Sequence, residues 1–356
     1  MAIAFLLSIC LAVLSACGNG EEEPLPFESP TAVPVSPSPP SSISPSAQVQ
    51  PAGDVPLATI AVGSKPWAVA VNPETKRVYV ANEGDGTVSV IDGATATVAA
   101  TIPVGYMPWA VAANPETNRI YVANGGNNSV SVINGLSDAV VATVAVGEGP
   151  RGVAVNAETN QIYVANTDNA TVSVIDGASN EVVADIPVDK DPWGVAVNPG
   201  TDRVYVANAE SFTVSVIDAS AATVVATIPV GDAPHSVAVN PETNRIYVAN
   251  TESASISVID GASNKVVATI SVGLAPLSVA VHPNANRIYV ANSVDNSVSL
   301  IDGANNTVVA TIPLSRMPWA LAVNPSTNRV YVARRGNNTV SVFDAGSWLD
   351  WANRPE

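Results

Sequence analysis

The chain has 356 residues, a formal net charge of −16, two cysteines and two histidines. The first 54 residues hold five of the excess acids and no Lys or Arg, so the remainder carries −11. An acidic surface of that kind argues against duplex nucleic acid and against adhesion to anionic lipid, both of which require a basic face. Both cysteines fall within the first 17 residues, which excludes a disulfide framework, thiol catalysis and Cys-based metal or haem attachment in everything that follows.

Met1 to Val13 is an apolar run too short to span a bilayer, and Leu14-Ser15-Ala16-Cys17 follows it. That tetrapeptide resembles the lipobox of bacterial lipoproteins. The resemblance implies a signal peptide over 1–16, cleavage before Cys17, and acylation of Cys17 with enough lipid for stable anchoring. Residues 17–56 then form a stalk dominated by Pro and Ser, with Glu21, Glu22, Glu23 and Glu28. Such a segment is too poor in hydrophobic residues to fold. Its prolines keep it extended, and about 3 Å per residue gives a reach on the order of 100 Å.

From residue 57 the chain repeats. Pro66, Pro108, Pro150, Pro192, Pro234, Pro276 and Pro318 are 42 residues apart, each opening the same phrase. A period of that length with several strand-like runs per unit predicts a β-propeller. In the first unit the four strands are Trp67–Val71, Arg77–Ala81, Thr87–Ile91 and Val98–Val104, separated by Asn-Pro and Asp-Gly turn chemistry. Helix is expected to be nearly absent, because no window sustains a 3.6-residue apolar period. The first strand-like run, Leu57–Val62, is of the fourth-strand type, and the last unit lacks its own fourth strand. Pairing Leu57–Val62 with the run near Thr339–Phe343 would close the ring and hide its seam. The expectation is an all-β, seven-bladed propeller over 57–344, with four-stranded antiparallel blades and a one-plus-three closure. Residues 345–356 are a C-terminal tail, and the ring is expected to be monomeric.

The recurring Tyr-Val-Ala-Asn, as at Tyr121–Asn124 and Tyr247–Asn250, resembles the YVTN-type β-propeller repeat, with Ala in place of Thr. That resemblance implies a bacterial or archaeal surface protein and says little about chemistry, because fold alone does not transfer function.

Repeating residues read as packing: the seven tyrosines from Tyr79 to Tyr331 fill the spaces between blades, the Asp-Gly pairs make turns, and the Asn after each Tyr-Val-Ala caps a loop. His282 stands where other units have the Asn of Asn-Pro, and reads as a turn substitute. No serine-nucleophile elbow, phosphate-cradling glycine motif or three-ligand metal set is legible, so neither a cofactor nor a metal is expected.

Function must lie where the units differ. The residue after each marker proline runs Trp67, Trp109, Arg151, Trp193, His235, Leu277, Trp319. It sits where one blade crosses to the next. Tryptophans there serve either as a lid on the channel or as a binding face. The last, first and second blades are neighbours in a closed ring, and Trp319, Trp67 and Trp109 fall on that arc with Met317, Met107 and Tyr106 beside them. Lys65, Arg316, Arg334 and Arg335 edge the same arc. Aromatic faces stack on sugars, Arg pairs with carboxylates, and Met adapts to shape. The reading favoured over an enzyme is a lipid-anchored, extracytoplasmic binding module for an anionic envelope glycan or a surface protein. The alternatives are a metal-dependent lyase or lactonase at the channel and, more weakly, a binder of single-stranded nucleic acid.

Overall fold

The 42-residue period becomes geometry in a computed structural model that describes residues 56–352. The signal peptide with Cys17, and the stalk up to residue 55, lie outside the described residues. Seven four-stranded antiparallel sheets form, six of them built in chain order from the channel outward. The first is Pro66–Asn72, Arg77–Asn82, Thr87–Asp92 and Thr97–Pro103. Innermost strands of neighbouring blades touch all the way round, the seventh against the first included.

The seventh blade closes as the repeat count requires. Its three C-terminal strands, Pro318–Asn324, Arg329–Arg334 and Thr339–Asp344, are completed by Ala58–Ala61 from the start of the ring. The register runs from Ala58 opposite Val342 to Ala61 opposite Thr339. Leu57 and Val62 extend the pairing, donating backbone N–H groups to Val342 and Asn338.

The hydrophobic cores lie between blades rather than within them. Tyr79, Val88 and Val90 of the first blade pack with Val111, Ile120 and Val122 of the second, and the same pattern recurs at each junction. All seven repeat tyrosines are buried there. On the face opposite the marker prolines, side-chain amides tie blades together: Asn72 donates to Asn118, Asn114 to Asn160, Asn198 to Asn244 and Asn240 to Asn286, at 2.8–3.1 Å. The Asn after Tyr-Val-Ala is also structural. Asn82 is fully buried and donates to the hydroxyls of Thr87 and Ser89, binding the second strand to the third. Asp92 accepts the N–H groups of Ala94 and Thr95, as a turn carboxylate does. His282 accepts the Ala285 N–H through Nδ1, which makes it the turn substitute its position predicts.

One element is absent from the sequence reading. Ala345–Ala352, within the C-terminal tail, is a helix. It turns Trp348 into the core between the sixth and seventh blades, fully buried, 4.8 Å from the Phe343 ring and 5.7 Å from Tyr289. Ala345 and Trp348 of this helix fill the junction beside the seventh blade, whose fourth strand comes from the start of the ring.

Candidate functional site

The residue after each marker proline is singled out by the backbone. In every blade the pairing between the innermost and second strands slips at this point, as between Pro66 and Ala68 or Pro150 and Gly152. The slip is a β-bulge, which leaves one residue unpaired and re-aims its side chain. The turn leading into it is fixed too. The residue before the proline is left-handed in all seven blades (Lys65, Met107, Gly149, Asp191, Ala233, Ala275, Met317). In six of them its carbonyl accepts an N–H from the loop between the second and third strands, as Lys65 does from Glu83 and Met107 from Gly125.

The bulges deliver Trp67, Trp109, Arg151, Trp193, His235, Leu277 and Trp319 to one cavity of about 160 Å³ at the channel mouth. The channel is narrow here. A Cβ on Gly152 would come within 2.1 Å of the Trp193 carbonyl, and one on Gly194 within 2.8 Å of the His235 carbonyl. Those two units carry Gly where Ala68, Ala110 and Ala320 stand elsewhere, because the backbones approach too closely for a side chain.

The three arc tryptophans do meet. Trp67 lies 4.8 Å from Trp319 and 6.2 Å from Trp109 between ring centroids. Trp109 and Trp319 are buried, and Trp67 is half-buried with a face open to the mouth. Arg335 spans two of them, its guanidinium 5.1 Å from Trp67 and 5.0 Å from Trp319, and it is anchored by an ion pair with Glu83 at 2.7 Å. The other candidates are placed differently. Arg334 takes the slot of the blade Asn, buried, donating to Ser315 Oγ at 2.8 Å and 5.9 Å from the Phe343 ring. Its removal should therefore lower stability, because it packs inside the blade and does not edge the arc. Tyr106 is exposed and lies against Gly126. Lys65, Met107, Arg316 and Met317 occupy left-handed turn positions beside the arc, the two cations exposed.

The other half of the mouth is as rich. Arg151 is inserted between Trp109 and Trp193, 4.4 and 4.1 Å from the two rings, and only 9% exposed. Burial pulls its guanidinium below the usual arginine value, partly offset by Asp191 and Asp168. Desolvation raises Asp191, opposed by the neighbouring Trp193 and Arg151. His235 packs 4.0 Å from Trp193, with Nδ1 3.2 Å from the Leu277 carbonyl. Part of its ring faces the mouth, but Nε2 is sealed from solvent. Burial, with Arg151 adding to it, pushes its pKa down to about 3. Trp193 thus shares the cavity with the arc. The sequence pattern groups only Trp319, Trp67 and Trp109; Gly152 and Gly194 are its signal that the opposite half converges on the same cavity.

The depressed pKa has a consequence for stability. An unfolded histidine takes up a proton near pH 6.5 and the folded His235 does so only near pH 3, so the native state loses stability as pH falls through that interval. The slope for one such group is about 1.4 kcal/mol per pH unit. Replacing His235 with Leu, the residue of the next blade, should flatten the drop in melting temperature between pH 6 and 4. An unchanged pH profile in His235→Leu would show that the imidazole protonates freely in the fold.

The fold defines a β-propeller repeat protein. Residues 148–175, which include Arg151, match the NHL repeat. Among solved structures the chain is similar to Kuenenia stuttgartiensis hydrazine synthase, at 20% identity and a TM-score of 0.71, over 79% of this chain and 95% of that one. At that identity the likeness is one of fold. No curated protein matches the sequence.

Proposed function

We propose that the chain is a lipid-anchored, extracytoplasmic propeller of the YVTN type whose mouth binds an anionic envelope glycan. The observation that carries this is the contact of Trp67 with Trp319 and Trp109, with the guanidinium of Arg335 over Trp67 and Trp319. Indole faces stack against the C–H faces of sugar rings, and a guanidinium fork holds carboxylate or sulfate. An otherwise acidic chain that gathers cations and tryptophans at one opening favours an acid-bearing ligand there. Among the described residues no group of three His, Cys, Asp or Glu is arranged to hold a metal, and the cavity wall carries Arg151 and His235 but no carboxylate.

The test is a glycan array probed with the full chain, followed by titration of each hit. Trp67→Ala and Arg335→Gln should each weaken a true ligand by about 1–3 kcal/mol, as removal of buried aromatic and Arg anchors does. Added salt should weaken it further. Wild-type affinity in both variants for every hit would reduce the tryptophans to a lid. The anchor is tested separately: Cys17→Ala should move the protein from the membrane fraction to the soluble one, and retention on the membrane would remove acylation from the reading.

A further inference from the structure

Arg119, in the second blade, is a cation whose expected anion is missing. In the fourth, fifth and sixth blades the arginine that opens the second strand faces the aspartate that ends the third. There the two pair: Arg203 with Asp218 at 2.8 Å, Arg245 with Asp260, and Arg287 with Asp302 at 2.6 Å. The same register sets Arg119 opposite Asn134. Asn134 stands where the other six units have Asp92, Asp176, Asp218, Asp260, Asp302 and Asp344. Among the described residues Arg119 makes no ion pair, and its buried Nη1 has no hydrogen-bond partner.

Gly135 follows Asn134. An asparagine before glycine has its side-chain amide open to attack by the next backbone nitrogen, because no Cβ obstructs the approach. Asn134 is only half-buried, at the start of a turn whose Leu136 is 86% exposed. Its Oδ1 accepts the Leu136 N–H at 2.9 Å, a bond that stabilises the negative charge gathering on that oxygen during attack at Cγ. Residues 56–352 contain one other Asn-Gly pair, Asn124-Gly125. Asn124 is fully buried, donates through Nδ2 to Ser129 and Ser131, and accepts the Gly105 N–H. Both glycine N–H groups are held by a carbonyl, Gly135 by Asn118 and Gly125 by Met107, so each attack waits on a local opening. An exposed turn opens at far lower cost than a buried strand end.

We propose that Asn134 is a site of spontaneous deamidation, and that the carboxylate it yields pairs with Arg119. Gly135 N bonds to Asn134 Cγ, the Cγ–Nδ2 bond breaks, and ammonia departs with the proton that Gly135 N gives up. Water then opens the cyclic imide at Cγ and leaves an aspartate. The product carries the side chain that the other six units encode and sets it opposite the unpaired guanidinium. No ligand at the mouth takes part.

The experiment is incubation of the full chain in mildly alkaline buffer, followed by peptide mass spectrometry, with the urea-unfolded chain as reference for both sites. In the folded protein Asn134 should lose its amide while Asn124 keeps it; in urea both should react. Retention of the Asn134 amide in the folded chain for as long as that of Asn124 would overturn the site. Asn134→Asp supplies the product directly. It should melt roughly 1–4 °C above the wild type, the scale of one half-exposed ion pair in a domain of this size. The gain should disappear in the Arg119→Gln background, a substitution that installs the residue found at this position in the third blade, Gln161. If Arg119→Gln fails to fold, Arg119→Met takes its place. An equal gain with and without Arg119, or isoaspartate as the main product, would overturn the pairing.

Discussion

A chain beginning at residue 63 should melt roughly 10 °C or more below one beginning at residue 55. The longer deletion removes Ala58–Ala61, the outer strand of the seventh blade, together with Ile60, which is buried in the core between the seventh and first blades. Loss of one buried Ile side chain down to Ala costs about 2–5 kcal/mol by itself. A whole strand also takes away its ladder and leaves Thr339–Asp344 as a bare edge, open to pairing with another chain. For a domain of this size each kcal/mol is worth about 2–4 °C. The shorter deletion touches none of the described packing. Differential scanning calorimetry, with size exclusion to catch association, decides the matter. Equal melting temperatures would mean that the ring does not depend on its first strand.

Trp348→Ala should be the most damaging single substitution outside the repeat. The side chain is completely buried against Phe343, Tyr289 and Leu314, and truncating a buried Trp to Ala costs about 3–5 kcal/mol. Its indole N–H has no partner, so the loss is one of packing volume, and Trp348→Phe should recover much of it. A stop after Asp344 should fall as far as Trp348→Ala. A melting temperature within a degree of wild type in either variant would show that the helix rests on the ring without sealing it.

Much of this architecture was legible because packing forces repetition. Seven tyrosines at one register, seven marker prolines and one orphan fourth strand were enough to count the blades and place the seam. The Ala345–Ala352 helix was not legible: eight residues are too few for a period to declare itself, and its Trp348 serves a junction that occurs once. The mouth was half legible. The variable position was plain, and so was the meeting of Trp319, Trp67 and Trp109. That Arg151 would be clamped between Trp109 and Trp193 depended on how closely the inner strands converge, a distance written only in Gly152 and Gly194. Arg334 and Arg335 are adjacent in sequence, yet a strand alternates its side chains, and Arg334 packs within its blade while Arg335 rides on the tryptophans.

The bulge after each marker proline has a further meaning. A residue outside the ladder can be exchanged without disturbing the register on either side of it, so the fold is nearly indifferent to what stands there. The ring therefore behaves as a lock with seven wards cut independently on a single blank. Trp, Arg, His and Leu already occupy those wards in this chain, each one point change from a differently shaped keyhole.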